Sequence, residues 1–449
     1  MAKVRLEFRC DECGAAAPQW SGKCPSCGEW NTLRESATPV GVAARVAPIE
    51  AAVPIVDVDM AEWKARPTGI GELDRVLSGG LVPGSVTLLG GEPGVGKSTL
   101  LTQVAATMAN AGGRVLYVSA EESSQQVRLR AERLDALAPT MWLAAETDLA
   151  NIVSHLDAVR PDVVVVDSIQ AVHDPDIGSA PGSIVQVREC ANRFVREAKD
   201  RGVAVVLVGH VTKDGALAGP RVLEHVVDTV LSFEGEHHHA LRLVRAAKHR
   251  FGSTDEVGLF EMAPSGLVAV PDASALFLAD RRAGVPGSTV VPALDGRRPL
   301  LVEVQALTIA TNAPMARRSA QGLDAGRLAF LLAVLERHAS LAIGKNDVFA
   351  LAVGGARVIE PGADLAIALA VASSLVNVAL PDDFVACAEV GLGGELRQVS
   401  QTPRRLAEAA RLGFKRVLLP HSAPEPPCGL TGVRASTISD AITLAGLEP

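Results

Sequence analysis

The sequence predicts an α/β protein that consists of a small cysteine-rich module, a large core and a second α/β domain. Three observations indicate this: paired cysteines near the N-terminus, a glycine-rich loop after a short apolar strand, and strand patterns that alternate with helical patterns. Continuously apolar strands separated by helices are typical of a parallel sheet covered on both faces. We predict a four-cysteine module at 1–33, a linker at 34–58, the core at 59–272 and the last domain at 275–449.

The composition is that of a long chain that can bury large apolar cores. Of its 449 residues, 48% are hydrophobic and 21% are charged, and the net charge is −8. A negative net charge argues against a protein that coats nucleic acid with its whole surface, although it permits a local basic groove. The sequence has neither a long uncharged apolar run nor a signal-peptide pattern, so we expect a cytoplasmic protein without a membrane span.

The N-terminal module contains two C-x2-C units, each followed directly by a glycine. The four cysteines are Cys10, Cys13, Cys24 and Cys27. Two such units in close succession can offer four thiolates to one tetrahedral Zn²⁺ ion. The alternatives are a chance pattern or a redox pair, and neither of these would require two C-x2-C units. Four sulfur ligands leave no open coordination position, so the predicted zinc site is structural. We expect Trp20 and Trp30 to cover this module.

The core contains four strand patterns with helical patterns between them. The predicted strands are Ser85–Gly90, Arg114–Ser119, Val163–Asp167 and Val203–Gly209. The helical patterns include Ser98–Asn110 and Ile184–Asp200. Two further apolar runs, Val226–Phe233 and Leu241–Ala247, predict an antiparallel hairpin that completes the sheet.

A phosphate-binding loop is predicted at GEPGVGKS, directly after the first core strand and at the start of a helix. This is the context that a G-x-x-x-x-G-K-S/T motif requires, whereas a coincidental glycine turn would need neither element. Lys97 would bind the β- and γ-phosphates of ATP, and the hydroxyl of Ser98 would bind Mg²⁺. The predicted nucleotide contacts are Gly91, Glu92, Pro93, Gly94, Val95, Gly96, Lys97, Ser98 and Thr99.

Polar residues also follow three other predicted strands, at the edge where parallel sheets bind ligands. Asp167 would hold the hydration shell of Mg²⁺, although such an Asp alone is more often a helix cap. Glu121 would orient the attacking water, unless it and Glu122 cap the next helix. His210 either touches the γ-phosphate or is a satisfied histidine at a strand end.

The chain resembles the bacterial RadA (Sms) family of recombination proteins in the order of five motifs. These are the cysteine knuckles, GEPGVGKST, YVSAEES, VVVVDSIQ and GHVTKDG. KHRFG at Lys248–Gly252 is similar to that family's KNRFG signature, with His249 where the family usually has Asn. The resemblance implies a RecA-like ATPase core and a hexameric ring with ATP between subunits. Lys248 and Arg250 would then act on a neighbour's nucleotide. We expect KHRFG to follow the hairpin as an exposed loop with three potential cations. The alternative is that this loop is a solvated basic surface without a role in the nucleotide site.

Two glycine- and proline-rich loops lie where RecA-like motors contact DNA. They are His173–Ser183 and Thr212–Arg221, and Lys213 and Arg221 are the candidate cations. A nucleotide-linked shift at His210 would move the second loop and couple hydrolysis to the grip on DNA.

Residues 275–449 resemble the protease domain of Lon in outline. Pro361–Leu365 occupies the place of Lon's nucleophilic serine, the next serine is Ser373, and Gln401–Arg404 offers no lysine for a Ser–Lys dyad. Because nucleophile and base are both required, we predict no peptidase activity. A basic segment in this domain could bind DNA phosphates or be merely solvated. Its members are Arg317, Arg318, Arg327 and Lys345.

The resemblance implies a DNA-dependent ATPase or helicase that processes single-stranded and branched DNA in RecA-mediated recombination and repair. A signalling or scaffold ATPase of the KaiC kind, without strand movement, is the alternative. An ATP-dependent protease is disfavoured by the missing dyad. The expected cofactors are ATP, Mg²⁺ and Zn²⁺, and the expected partners are DNA, the RecA recombinase and further copies of the chain.

Overall fold

The computed structural model describes residues 4–39, 54–57, 63–210, 221–235 and 241–448. The chain divides into two compact units, Met1–Pro271 and Asp272–Pro449. In the part of the chain that the structure describes, each unit contains two β-sheets and has its own apolar core. Within the described residues, no helix combines the length and the apolar character that crossing a membrane requires.

The N-terminal module is a three-stranded antiparallel sheet. Its strands are β1 (Val4–Cys10), β2 (Ala16–Ala17) and β3 (Leu33–Pro39), in the order β2-β1-β3. Strand β3 pairs with β1 along its whole length, so the predicted boundary after residue 33 is wrong. The polar sequence of β3 resembles a linker because an edge strand is held by backbone hydrogen bonds and does not need an apolar run.

A nine-stranded mixed sheet forms the centre of the first unit. Its strands are β4 (Val86–Gly91), β5 (Val115–Ser119), β6 (Met141–Ala145), β7 (Val163–Asp167), β8 (Ala204–His210), β9 (Thr229–Glu234), β10 (Leu241–His249), β11 (Val257–Ala263) and β12 (Gly266–Ala269). They lie in the order β12-β11-β10-β9-β4-β8-β7-β5-β6, and the six strands β4 to β9 run parallel. The four strands predicted first agree with β4, β5, β7 and β8 to within one residue at each end.

Helices cover both faces of this sheet. They are α1 (Gly71–Val76), α2 (Lys97–Asn110), α3 (Ser124–Arg133), α4 (Leu149–Val159), α5 (Ile184–Arg201) and α6 (Arg221–Val226). Within β7, Val163 and Val165 pack into the cluster that contains α1 and α2, whereas Val164 and Val166 pack into the cluster that contains α4 and α5. Both faces of the strand are therefore buried, which is why its sequence is continuously apolar.

The predicted hairpin forms, but it neither begins at Val226 nor completes the sheet. Residues up to Val226 form α6, and β9 begins at Thr229 beside β4. Strand β10 pairs antiparallel with β9, and β11 and β12 then extend the sheet. The apolar run at 226–227 belongs to the packing of α6 on α5, since Leu223 and Val227 are buried in the same cluster as the apolar face of α5.

The second unit is built around a seven-stranded mixed sheet. Its strands are β13 (Ser288–Asp295), β14 (Arg298–Ala310), β15 (Arg318–Gln321), β16 (Asn346–Ala352), β17 (Phe384–Ala386), β20 (Arg416–Pro420) and β21 (Thr431–Ala435), and the strands β18 (Glu389–Val390) and β19 (Leu396–Arg397) form a separate pair. The helices are α7 (Ala273–Leu278), α8 (Ala325–His338), α9 (Asp364–Val376), α10 (Thr402–Arg411) and α11 (Ile438–Leu444). Helix α9 is buried over its first ten residues and packs against β13 and β14.

Candidate nucleotide site and zinc centre

The predicted phosphate loop connects the end of β4 to the start of α2. Gly94 has φ +80° and Gly96, the N-cap residue of α2, has φ +114°, a region that favours glycine. A Cβ atom on Gly91 would lie 2.5 Å from the carbonyl oxygen of Phe233. The side chain of Val95 is buried in the core, so only its backbone can face a ligand. Because the first amides of a helix have no intrahelical partner, this loop fits an anionic phosphate.

Lys97 is the first residue of α2, and its ammonium turns back toward the phosphate loop. The side chain is buried, and Nζ donates to the carbonyl oxygens of Gly91 at 2.7 Å and of Glu92 at 3.0 Å. Burial lowers the pKa of Lys97, and the negative charges of Asp167 and Glu121 oppose that change. The ammonium of Lys97 is therefore close enough to the two carboxylates to interact with their charges. A site for a magnesium-bound triphosphate requires such a grouping of a cation and carboxylates.

Asp167 ends β7, and only 8% of its surface is exposed. The phenol of Tyr117 donates to Asp167 Oδ2 at 2.7 Å. The residues after Asp167 form a short 3₁₀ turn whose N-cap, Ser168, makes no side-chain cap, so Asp167 is not a helix cap. An ionised carboxylate and a hydroxyl such as Ser98 are ligand types that suit Mg²⁺. Sequence analysis did not identify Tyr117, because a tyrosine within an apolar strand resembles ordinary core.

Glu121 and Glu122 have different surroundings, and neither caps α3. Ser123 caps that helix in a capping box with Gln126, so the alternative role predicted for the two glutamates is wrong. Glu122 forms an ion pair with Arg130. Glu121 instead accepts a hydrogen bond from Ser168 Oγ, beside the end of β7. Of the two carboxylates, Glu121 is the one directed to the Asp167 edge of the sheet.

The N-terminal cysteines bring four sulfur atoms together. All four Sγ atoms lie within 4.8 Å of one another, with Cys10 and Cys27 at 3.6 Å and Cys13 and Cys24 at 3.7 Å. A tetrahedral Zn²⁺ ion with Zn–S bonds of about 2.3 Å separates its sulfur ligands by about 3.8 Å, so this donor set fits zinc.

The two tryptophans of the zinc module do not cover it. Trp20 is 57% exposed and Trp30 is 68% exposed, in contrast to the prediction. The small core consists of Cys10, Ala17, Cys24 and Leu33, with Phe8 and Cys13 packed against it. Two of the four cysteines, Cys10 and Cys24, are thus part of this core, and neither indole belongs to it.

Comparisons with known proteins match both the zinc module and part of the region that contains the phosphate loop. A family model described as an AAA domain matches residues 52–216, and one described as a rubredoxin metal binding domain matches residues 8–35. The DNA repair protein RadA of Mycolicibacterium smegmatis is 48% identical over 98% of this chain and 97% of its own length. The RadA proteins of Bacillus subtilis and Pseudomonas aeruginosa are 44% and 47% identical, each over 98% of this chain and 99% of its own length.

The chain belongs to the RadA family of DNA repair proteins. The resemblance predicted from its motifs is thereby confirmed. As a member of this family it carries an AAA-type ATPase domain, a metal-binding zinc ribbon and a role in DNA repair.

Sequence analysis predicted that the RadA-type pentapeptide KHRFG is an exposed loop with three cations, and the structure contradicts this prediction. Lys248 and His249 are the last residues of β10 and are half-buried. His249 Nδ1 lies 3.1 Å from the hydroxyl of Thr229, and burial lowers the pKa of His249. Arg250 is the exposed cation of the three. Strand β10 continues to His249 because Lys248 and His249 both pair with β9 beyond a bulge.

Both basic side chains of this pentapeptide are held in place. Lys248 Nζ donates to the carbonyl oxygens of Glu224 at 2.6 Å and Val227 at 2.7 Å, and burial lowers its pKa, with a further contribution from Arg250. Arg250 Nη1 donates to Asp228 Oδ1 at 3.0 Å. Asp228 Oδ2 in turn accepts from the amide of Val86 at the start of β4. Asp228, which sequence analysis missed, therefore connects Arg250 to the strand that leads into the phosphate loop.

Of the two loops predicted to contact DNA, only His173–Ser183 lies among the described residues. It contains no Lys or Arg, and Asp174 and Asp176 give it a negative charge. The loop is ordered by Gln186, whose amide donates to three of its carbonyl oxygens and accepts from the amide of Asp174. The side chains of His210 and Arg221, and residues 211–220 with Lys213, lie outside the described residues.

The basic segment predicted in the second unit is only partly available to a ligand. Arg327 forms a bidentate pair with the buried carboxylate of Asp364, at 2.5 and 2.6 Å. The guanidinium of Arg318 donates to backbone carbonyl oxygens, including that of Asn346. The charge of Arg327 is therefore compensated within the fold, contrary to the prediction, whereas Arg318 is exposed and its bonds to neutral carbonyls leave its charge uncompensated. Arg317 and Lys345 are exposed.

Ser373 and Arg405 of the second unit make hydrogen bonds within the fold. Ser373 is buried in α9, where its Oγ accepts from the amide of Gly287 at 2.8 Å and donates to the carbonyl of Val378 at 2.5 Å. Arg405, next to the predicted Gln401–Arg404 segment, is fully buried and pairs with Glu360 through both terminal nitrogens. The hydroxyl of Ser373 and the guanidinium of Arg405 are therefore both engaged within the second unit.

Proposed function

We propose that this chain is a DNA-dependent ATPase that remodels single-stranded and branched DNA during RecA-mediated recombination and repair. The observation that carries the proposal is the buried Lys97 ammonium beside Asp167 and Glu121, at the start of a helix that follows a glycine loop. In a chain of the RadA family, this arrangement supports a motor powered by ATP. Gln401–Arg404 offers no lysine for a Ser–Lys dyad, which supports the proposal that the chain has no peptidase activity.

Within the proposed site each residue has one role. The amides of the 91–99 loop bind the phosphates, and Lys97 compensates the charge that develops on the γ-phosphate. Ser98 and Asp167 would hold Mg²⁺, which would supply further positive charge beside the phosphates. Glu121 orients and deprotonates the attacking water, and His210 contacts the γ-phosphate.

Lys248 and Arg250 complete the site of a neighbouring subunit in a proposed hexameric ring. The exposed guanidinium of Arg250 is presented at the end of β10 by Asp228. A fixed exposed arginine supports a role on a nucleotide bound by another copy, because arginine fingers act on transition-state charge across an interface.

Two measurements test the motor proposal. Purified protein is assayed for ATP hydrolysis with and without single-stranded DNA, and for branch migration or unwinding of a forked DNA substrate. We expect both activities in the wild type and neither in Lys97→Ala. Hydrolysis without any strand movement would favour a KaiC-like scaffold ATPase, and failure to bind any nucleoside triphosphate would refute both.

The role of the arginine finger is tested by Arg250→Ala, with Arg245→Ala as the matched control. Arg245 lies on β10, the strand that Arg250 directly follows, and pairs with Glu234 at 3.6 Å. We expect Arg250→Ala to lower kcat by about a thousandfold with little effect on nucleotide binding, as loss of an arginine finger does. Equal losses in the two variants would contradict this role. Assays that mix Lys97→Ala and Arg250→Ala subunits show whether Arg250 acts across the interface, because rescue then requires a shared site.

A further inference from the structure

The only tyrosine in the chain, Tyr117, lies at the middle of β5 and is completely buried. Strand β5 lies beside β7 with Tyr117 opposite Val165 and Ser119 opposite Asp167. Tyr117 packs in the same cluster as Val165 and α2, so its ring lies on the face that carries the helix of the phosphate loop. From there its hydroxyl reaches forward to Asp167.

A hydroxyl in this apolar cluster needs a specific reason to be there. Burial of an unbonded hydroxyl is unfavourable because its hydrogen bonds to water are lost, whereas a phenylalanine at this position would carry no such penalty. The donor–acceptor distance of 2.7 Å is that of a well-formed O–H···O hydrogen bond. Burial, followed by the negative charge of Asp167, raises the pKa of Tyr117. In this geometry the phenol is the donor and the carboxylate of Asp167 is the acceptor.

The bond has a consequence for the two oxygens of Asp167. Oδ2 is held by Tyr117, whereas Oδ1 makes no hydrogen bond to another residue that the structure describes. The hydroxyl also lies close to Thr102, which donates to the carbonyl of Ser98 at 2.7 Å. Tyr117 thus connects the carboxylate at the end of β7 to the helix that presents the proposed magnesium-binding hydroxyl.

We propose that Tyr117 is a positioning residue for the magnesium site. Its hydroxyl fixes the rotamer of Asp167, so that Oδ1 is presented to the hydration shell of the Mg²⁺ that accompanies ATP. The inference rests on the proposed function, because it assumes that Asp167 serves Mg²⁺. It adds to that function a residue that reports metal binding without touching the nucleotide.

The uniqueness of Tyr117 makes this positioning directly observable. Protein grown with ring-labelled tyrosine has one isotope-shifted phenol band in the infrared spectrum, and the frequency of that band depends on the hydrogen bond that the hydroxyl donates. We expect the band to shift when ADP and Mg²⁺ are added together, and not when ADP is added with a chelator. A band that does not move, while nucleotide binding is confirmed by calorimetry, would overturn the inference and leave the proposed function intact.

Tyr117→Phe removes the hydroxyl and keeps the ring. We expect the Mg²⁺ concentration for half-maximal nucleotide binding to rise roughly tenfold, the effect of losing one hydrogen bond to a charged group, with little change in metal-free affinity. The matched control is Ser85→Ala, which removes another buried hydroxyl, bonded to the carbonyl of Val82 at 2.6 Å at the opposite end of the sheet. An equal Mg²⁺ dependence in both variants would show that Tyr117 is merely structural.

Two further outcomes separate this inference from the proposed function. If Tyr117→Phe fails to fold, the infrared measurement on the wild-type protein still decides the question. If the wild-type protein binds no nucleotide with Mg²⁺, the proposed function fails, and the inference fails with it.

Discussion

Single residues in this protein hold positive charge in two different ways. Lys97 and Lys248 donate to neutral backbone carbonyls, so their charge is not compensated by the bond. Arg327 and Arg405 instead form bidentate pairs with buried carboxylates and are neutralised within the fold. A Lys charge about 4 Å from a phosphate oxygen near the surface contributes about 4 kcal/mol, so the uncompensated charge of Lys97 in the phosphate loop is suited to a triphosphate.

His249 is expected to make the stability of the first unit depend on pH. Burial lowers the pKa of His249 in the folded chain, whereas an unfolded histidine titrates near about 6.5. Below that pH the unfolded state binds more protons, so the free energy of unfolding falls as the solution is acidified from about pH 7.5 to about pH 5.5. His249→Asn removes this contribution. Urea unfolding at a series of pH values measures the difference, with His155→Asn as the control, and parallel curves for His249→Asn and wild type would contradict the prediction.

At the scale of elements, short segments depend on a few side-chain bonds for their structure. The zinc module is organised around its thiolates, and the loop at 173–183 is organised around one glutamine amide. Neither segment has an apolar core large enough to fold by itself, so the loss of one key residue should release the segment without unfolding the sheet behind it.

Cys24→Ser tests the zinc module. Because the free energy of zinc binding is about 10–16 kcal/mol and supplies the folding energy of such modules, we expect loss of bound zinc and of structure in β1 to β3. Metal analysis and hydrogen exchange measure the two effects. The control is Cys428→Ser, at an exposed cysteine of the second unit. Retention of zinc by Cys24→Ser, or protected amides in β1 without zinc, would be inconsistent with a metal-dependent module.

Gln186→Ala tests the loop that follows β7. Removal of the amide leaves carbonyl oxygens of Asp174, Ile177 and Ser179 without this donor, so we expect destabilisation by about 1–3 kcal/mol. Hydrogen exchange should accelerate at 174–179 and remain unchanged in β7. Gln125→Ala, at an exposed position of α3, is the control. Unchanged exchange in the loop would mean that its order comes from elsewhere.

On the scale of the whole molecule, the chain has two units with separate cores. The first unit contains every residue proposed to bind nucleotide, whereas the second contains the buried pairs of Arg327 and Arg405. Ligand binding to one unit should therefore stabilise that unit selectively.

Calorimetric unfolding of the full chain tests this selectivity. We expect two unfolding transitions, and only the transition of the first unit should move to higher temperature when ADP and Mg²⁺ are added. With the ligand at a hundred times its Kd, the free energy of unfolding of that unit should rise by about 2.7 kcal/mol. In Lys97→Ala the shift should disappear, since the ammonium on the phosphates is lost. Equal stabilisation of both transitions would indicate that the nucleotide also engages the second unit.

The sequence by itself determined the parallel sheet, the phosphate loop, the four zinc ligands and the family. These features follow from local rules: apolar runs predict buried strands, and glycines and paired cysteines act through fixed spacing. Only the tertiary structure decided what each polar side chain contacts. The bond of Tyr117 to Asp167, the support of Arg250 by Asp228 and the neutralisation of Arg327 by Asp364 join residues that are 50, 22 and 37 positions apart. No local pattern encodes such pairs, because the approach of two side chains depends on how the strands and helices pack.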